Sequence, residues 1–224
     1  MTLFEIAAYA AFPYICLTLF ALGHAYRYLT DRYGWNARSS EFLEKKSLRS
    51  GSVLFHWGIL LTLLGHAGGL LIPQRIFDRV GIDSRLHMEI ALWSGLVVGA
   101  LALAGAVLLL YRRVAVRRVS ASSPPNDLVV LAGLLLVIGL GFYNVLFDHY
   151  NVLYTLAPWI RGIVLLSPQP ELMRDVPPLY KAHTLTALAL LAYSPFSRLV
   201  HIWSVPLTYL VRPWIVLRRK AARG

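Results

Sequence analysis

The stretch VLFHWGILLTLLGHAGG, residues 53–69, is apolar over nearly the length of a membrane-crossing helix, yet it carries two histidines, His56 and His66. Polar side chains at membrane depth are costly and turn toward a bundle interior. Ten residues correspond to about 15 Å of helical rise and a net rotation near 280°. The two imidazoles are therefore expected at different depths, about 80° apart around one helix. Gly51, Gly58 and Gly65 recur every seven residues, and Gly69 follows one turn on. Such a stripe admits a flat group or another backbone.

The rest of the 224 residues has the same character. Hydrophobic residues make up 57% and charged ones 15%, which leaves little room for a soluble domain. Apolar segments stand at about 4–26, 52–72, 88–110, 128–147 and 182–210, and about 20 residues suffice to cross the hydrocarbon core. The expectation is a single membrane domain over 1–224, an all-α five-helix bundle. The first segment has no basic residue before it and is too long for a signal-peptide core, so it reads as a retained span. Pro195 and Pro206 interrupt the last, which predicts a kinked span running out into the interface. Cys16 is the only cysteine. Disulfides, cysteine-ligated iron–sulfur clusters and a C-x-x-C-H haem attachment are thereby excluded.

The net charge of +11 is unevenly spread. Segments 27–51, 111–127 and 198–224 hold 6, 4 and 6 Lys/Arg, segments 73–90 and 148–181 hold 3 each, and none precedes the first span. The positive-inside rule then places the N-terminus outside and the C-terminus in the cytoplasm. A basic cytoplasmic face suits topology, anionic membrane lipid or a docked protein better than nucleic acid. Residues 27–51 and the tail 212–224 are the expected docking segments. Within the outer loop, WIRGIVLL (159–166) is expected to form a short interfacial helix.

The fifth segment supplies His183 near its outer end and His201 deep on the cytoplasmic side. Because the second span runs outward and the fifth inward, depth matching pairs His66 with His183 and His56 with His201. Two antiparallel helices presenting two level pairs of imidazoles are what two bis-histidine haems b require, with His56, His66, His183 and His201 as iron ligands. The spacings of ten and 18 residues correspond to about 15 and 27 Å, so the haem planes must tilt or the fifth helix must shorten at Pro195. With both axial positions taken, such haems carry single electrons and do not bind oxygen. A lipid-soluble quinol is the natural donor. His24, His87 and His149 have no depth-matched partner and read as interfacial side chains.

FPYI (12–15), RY (27–28), SS (39–40), LFHWGILLTLLGH (54–66) and FSRLVHIWSVPLTYL (196–210) resemble the gamma subunit of membrane-bound respiratory nitrate reductase. The likeness runs over essentially the whole chain, and related dihaem anchors of sulfite- and heterodisulfide-reductase-like complexes share parts of it. It implies a multi-pass protein of a prokaryotic cell membrane with two haem b groups. Quinol would be oxidised near the distal haem, held by His66 and His183. The proximal haem, held by His56 and His201, would lie toward an iron–sulfur beta subunit and a molybdenum alpha subunit that reduces nitrate in the cytoplasm. The implied quinol pocket includes Gly65 and Arg85, which stands where a lysine is familiar; His87 competes for that role. Arg112, Arg113 and Arg198 are candidates for haem propionates. Two other readings stay open: a dihaem anchor of another cytoplasmic reductase, and a cofactor-free anchor or transporter whose histidines line a proton path.

Overall fold

Four helices long and apolar enough to cross a membrane dominate the computed structural model, which describes residues 2–31, 44 and 46–203. Among the described residues every regular element is helical and no strand occurs. Helix α1 runs over Leu3–Thr30. It opens on a capping box, in which Thr2 Oγ1 accepts the Glu5 amide and Glu5 accepts the Thr2 amide. A π-turn at Ala7–Ala11 interrupts it. Such a turn loosens the i→i+4 ladder, and the Tyr9 carbonyl there accepts the buried Trp159 indole N–H at 2.8 Å.

Helix α2, Lys46–His66, continues into a second π-turn, Ala67–Leu71. A short helix α3, Gln74–Arg79, leads to α4, Ser84–Ala115, whose N-cap Asp83 accepts the Leu86 amide. After a one-turn helix, Arg117–Ala121, comes α5, Pro125–Phe147, which begins on the N1 proline that its sequence provides. The loop after α5 contains α6, Leu156–Val164, where a short helix over 159–166 was expected. Helix α7, Pro178–Tyr193, carries the fifth apolar segment.

Packing runs α2 on α4, α4 on α5, α5 on α7 and α7 on α1. The α2–α4 crossing is made by glycine. A Cβ at Gly58 would meet the Ala102 backbone nitrogen at 2.3 Å, and one at Gly105 would meet the Phe55 nitrogen at 2.3 Å. Gly58 thus serves a backbone, Gly51 packs on the Leu108 and Leu109 side chains, and Gly65 has nothing within 4 Å of its would-be Cβ. Near the start of α1, Tyr9, Leu156, Trp159, Ile163, Met173 and Val176 form a buried cluster that fixes the loop after α5 against it.

The first four segments are helical over slightly longer ranges than their apolar cores, because the polar flanks carry good caps and helix formers. The fifth differs more. Its α-helix stops at Tyr193, two 3-10 turns follow at Ser194–Phe196 and Arg198–Ile202, and Ser197 between them is extended. Pro195 lacks the N–H that would continue the ladder. Two carbonyls beyond the helix end find side-chain donors instead: Arg27 bonds Pro195 O at 3.0 Å and Asn126 bonds Phe196 O at 2.7 Å. The remainder of that segment, the tail 212–224 and most of 27–51 lie outside the described residues.

A candidate cofactor site of two facing histidine pairs

His56 and His66 lie ten residues apart on α2, and both are exposed. His183 lies in the second turn of α7, and His201 on the last 3-10 turn. The structure brings them together in two pairs. The His66 and His183 ring centroids are 6.2 Å apart with planes at 34°, and those of His56 and His201 are 6.0 Å apart at 68°. A metal–imidazole bond is about 2 Å; adding the ring radius, two imidazoles on one metal have centroids roughly 6 Å apart. The pairing is the one that opposite helix directions require.

The backbone fixes each ring. Nδ1 of His56 donates to the Ser52 carbonyl at 2.7 Å, that of His66 to Thr62 at 2.8 Å, that of His183 to Val137 at 2.9 Å, and that of His201 to Arg198 at 2.6 Å. A carbonyl oxygen only accepts, so all four neutral imidazoles carry the proton on Nδ1 and leave Nε2 as a free base. Metal-ligating histidines are commonly oriented by such bonds. Among the described residues no three His, Cys, Asp or Glu gather into a cage. Two imidazoles per site suit a group that brings its own equatorial donors, as haem does.

Helix α5 forms the wall behind His183. A Cβ at Gly141 would stand 2.8 Å from His183 Cε1. One turn outward, Asn144 is 2% exposed, and neither its Oδ1 nor its Nδ2 is hydrogen-bonded. A buried amide without partners is costly, and this one lies three residues along α5 from Gly141, which packs on His183. Neither residue was singled out from the sequence. The signal was present for Asn144, an isolated polar residue in an apolar run.

The other sequence candidates separate clearly. Arg85 is on the first turn of α4 with its side chain 88% exposed, paired to Glu89 at 3.1 Å. His87 is buried, not a surface interfacial residue: its Nδ1 is 2.6 Å from Gln74 Oε1 and its ring packs on Phe77. Its Nε2 lies 3.4 Å from where a Gly69 Cβ would stand, on the π-turn that follows His66. His24 packs edge-on against Phe20 and Trp203. His149 is exposed at the end of α5, with a φ of 34°.

The basic candidates for propionates meet carboxylates in this chain. Arg112 pairs with Glu44 at 2.9 Å, and Arg113 and Arg198 both pair with Asp127. Glu44 also accepts the Ser47 hydroxyl and the Ser47 and Leu48 amides. These Ser47 bonds, then Arg112 and the Leu48 amide, hold its carboxyl down at about 2.

Comparison with known proteins identifies the family. The family model described as nitrate reductase gamma subunit matches residues 5–220. A nitrate reductase gamma chain of Bacillus subtilis (strain 168) is 41% identical over 213 residues, covering 93% of this chain and 96% of that one. The respiratory nitrate reductase 1 gamma chain of Escherichia coli (strain K12) is 32% identical over 214 residues, 93% of this chain and 95% of its own. A protein named Hdr-like menaquinol oxidoreductase cytochrome b-like subunit, from Archaeoglobus fulgidus, is 28% identical over 159 residues, 68% of this chain and 46% of its own.

Proposed function

This chain belongs to the nitrate reductase gamma subunit family, and from that premise we propose that it oxidises quinol near its outer end and delivers the electrons to a cytoplasmic reductase. The partners are an iron–sulfur beta subunit and a molybdenum alpha subunit that reduces nitrate, and the location is a prokaryotic cell membrane. His66 with His183, and His56 with His201, hold two haems b, which when bound supply one-electron carriers. The observation that carries this reading is the set of four imidazoles in two facing pairs, each with Nδ1 committed to a carbonyl. The name of the archaeal relative, a menaquinol oxidoreductase's cytochrome b-like subunit, supports both the donor and the cofactor class.

The residues divide the work by depth. At the outer end Gly65, with open space beside it, admits a flat quinol ring next to His66. Arg85 and His87, at the start of α4, are the polar groups proposed to orient the ring. At the inner end the Arg112–Glu44 pair and the Asp127 pairs with Arg113 and Arg198 hold the helix ends around His201. The basic segments 27–51 and 212–224 would dock the iron–sulfur subunit.

Purified protein should show a Soret band and low-spin bis-imidazole EPR signals that quinol reduces. A colourless, correctly assembled protein would leave the histidines as proton-path or packing residues and end this reading.

A further inference from the structure

Three of the four imidazoles find their carbonyl close by in their own chain segment: Ser52 for His56, Thr62 for His66, Arg198 for His201. His183 alone reaches another helix, bonding Val137 O on α5. A helix carbonyl points along the axis toward the residue four positions on, and the side chain of that residue flanks it. For Val137 that residue is Gly141. Its would-be Cβ lies 2.8 Å from Cε1, 3.2 Å from Nδ1 and 3.6 Å from Nε2 of His183. The first distance is shorter than packed atoms tolerate, so any side chain there displaces the ring.

We propose that Gly141 is a positioning residue of the outer site: its missing side chain admits the His183 ring to the Val137 carbonyl and so sets the plane and basicity of this one ligand. The proposal rests on the haem reading given above. It makes the two sites unequal by construction. The inner pair is fixed by local backbone on each ligand's own segment, whereas the outer pair depends on how α5 meets α7. A hydrogen bond from Nδ1 raises the basicity of a ligating imidazole, which favours ferric over ferrous iron. Loosening it raises the midpoint potential of the outer haem alone.

Two neighbouring glycines on α5 serve as controls. A Cβ at Gly133 meets only the movable Leu190 Cδ1, at 3.1 Å, on the same α5–α7 contact. At Gly139 it meets nothing within 4 Å. The test is a potentiometric titration of the assembled complex followed by EPR, with His66→Ala and His56→Ala identifying the two signals. Gly141→Ala is expected to shift the outer signal and raise its midpoint, or to lose that haem alone, with the inner haem unchanged; Gly133→Ala and Gly139→Ala leave both unchanged. An unmoved outer haem in Gly141→Ala, an equal shift in Gly133→Ala, or parallel shifts of both haems would overturn the proposal. If Gly141→Ala does not assemble, an experimental structure of the unaltered complex decides. His183 Nδ1 within hydrogen-bond distance of Val137 O upholds the proposal, and Nδ1 beyond that distance overturns it. An unaltered complex without haem would instead defeat the underlying functional reading.

Discussion

The His201 ring faces His56 with centroids 6.0 Å apart, although it lies beyond the end of the helix that carries His183. Ten residues of α-helix separate His183 from Tyr193, a rise of about 15 Å. The same ten-residue interval separates His66 from His56. The eight residues from Ser194 to His201 therefore run across the helix end instead of along it, and the mismatch between spacings of ten and 18 disappears. Ending the helix at Tyr193 is what levels the inner pair.

Single-histidine variants test the pairing. His66→Ala or His183→Ala should remove the outer haem and halve the haem content, leaving the inner signal intact; His56→Ala or His201→Ala should do the reverse. Haem content and EPR of the purified complex read the result. If His66→Ala and His201→Ala emptied the same site, the pairing would be wrong.

The turn that leads into the one carrying His201, Ser194–Phe196, is tied to Asn126, which donates to Phe196 O and accepts from the Tyr193 hydroxyl at 2.6 Å. Asn126→Leu removes both bonds, at about 1 kcal/mol each. The inner haem should then be lost at a lower temperature than in the unaltered protein, with the outer haem's loss temperature unchanged. Thermal melts followed at the EPR signal of each haem distinguish this from general destabilisation, in which both would move together.

The four long apolar helices and the side-by-side placing of the histidines were legible because apolar length and helix direction are one-dimensional signals. The break at Tyr193 was half legible: Pro195 predicted a kink, but not that Arg27 and Asn126 would take up the carbonyls, since both are distant in sequence. The role of Gly141 was not legible, because it depends on where another helix places His183. Gly51 and Gly58 carried two readings that sequence alone left equal, and the Ala102 backbone settles Gly58 as a helix contact.

That contact predicts a sharp contrast between two glycines of one helix. Gly58→Ala forces a Cβ to within 2.3 Å of the Ala102 nitrogen, where only backbone can yield. Overpacking of this kind costs about 1–3 kcal/mol. Gly65→Ala points into open space and should leave the melting temperature in detergent close to that of the unaltered protein. Equal melting temperatures for the two variants would remove the close crossing of α2 and α4.

Glu44 gives the inner end a dependence on acid. Its carboxyl is held at about 2, below its ordinary 4.5, by the Ser47 bonds first and then by Arg112 and Leu48. A depressed carboxylate contributes stability that is full above its unfolded value and is lost as pH falls through the folded one. The melting temperature should therefore drop between about pH 4.5 and pH 2, and more steeply than in Glu44→Gln, which has no such charge to lose. Parallel pH profiles for the two proteins would mean that Glu44 is not held in this way.

The last prediction concerns the direction of charge. Quinol oxidised beside Gly65 and His66 yields a quinone, two protons and two electrons. On the proposed function the protons would leave on the outer side, the side opposite the basic segments. The electrons would leave at the other end, where the proposed docking of the iron–sulfur subunit lies. Each moves negative charge inward against a potential worth about 2.3 kcal/mol per 100 mV. Turnover is therefore electrogenic without a proton channel through the helices. Arg85→Ala should slow quinol oxidation several-fold while leaving electron delivery from an artificial donor to nitrate intact. Oriented vesicles given a quinol donor and nitrate should acidify on the outer side. Protons appearing on the cytoplasmic side would place the oxidation at the inner pair, His56 and His201, and sink the mechanism.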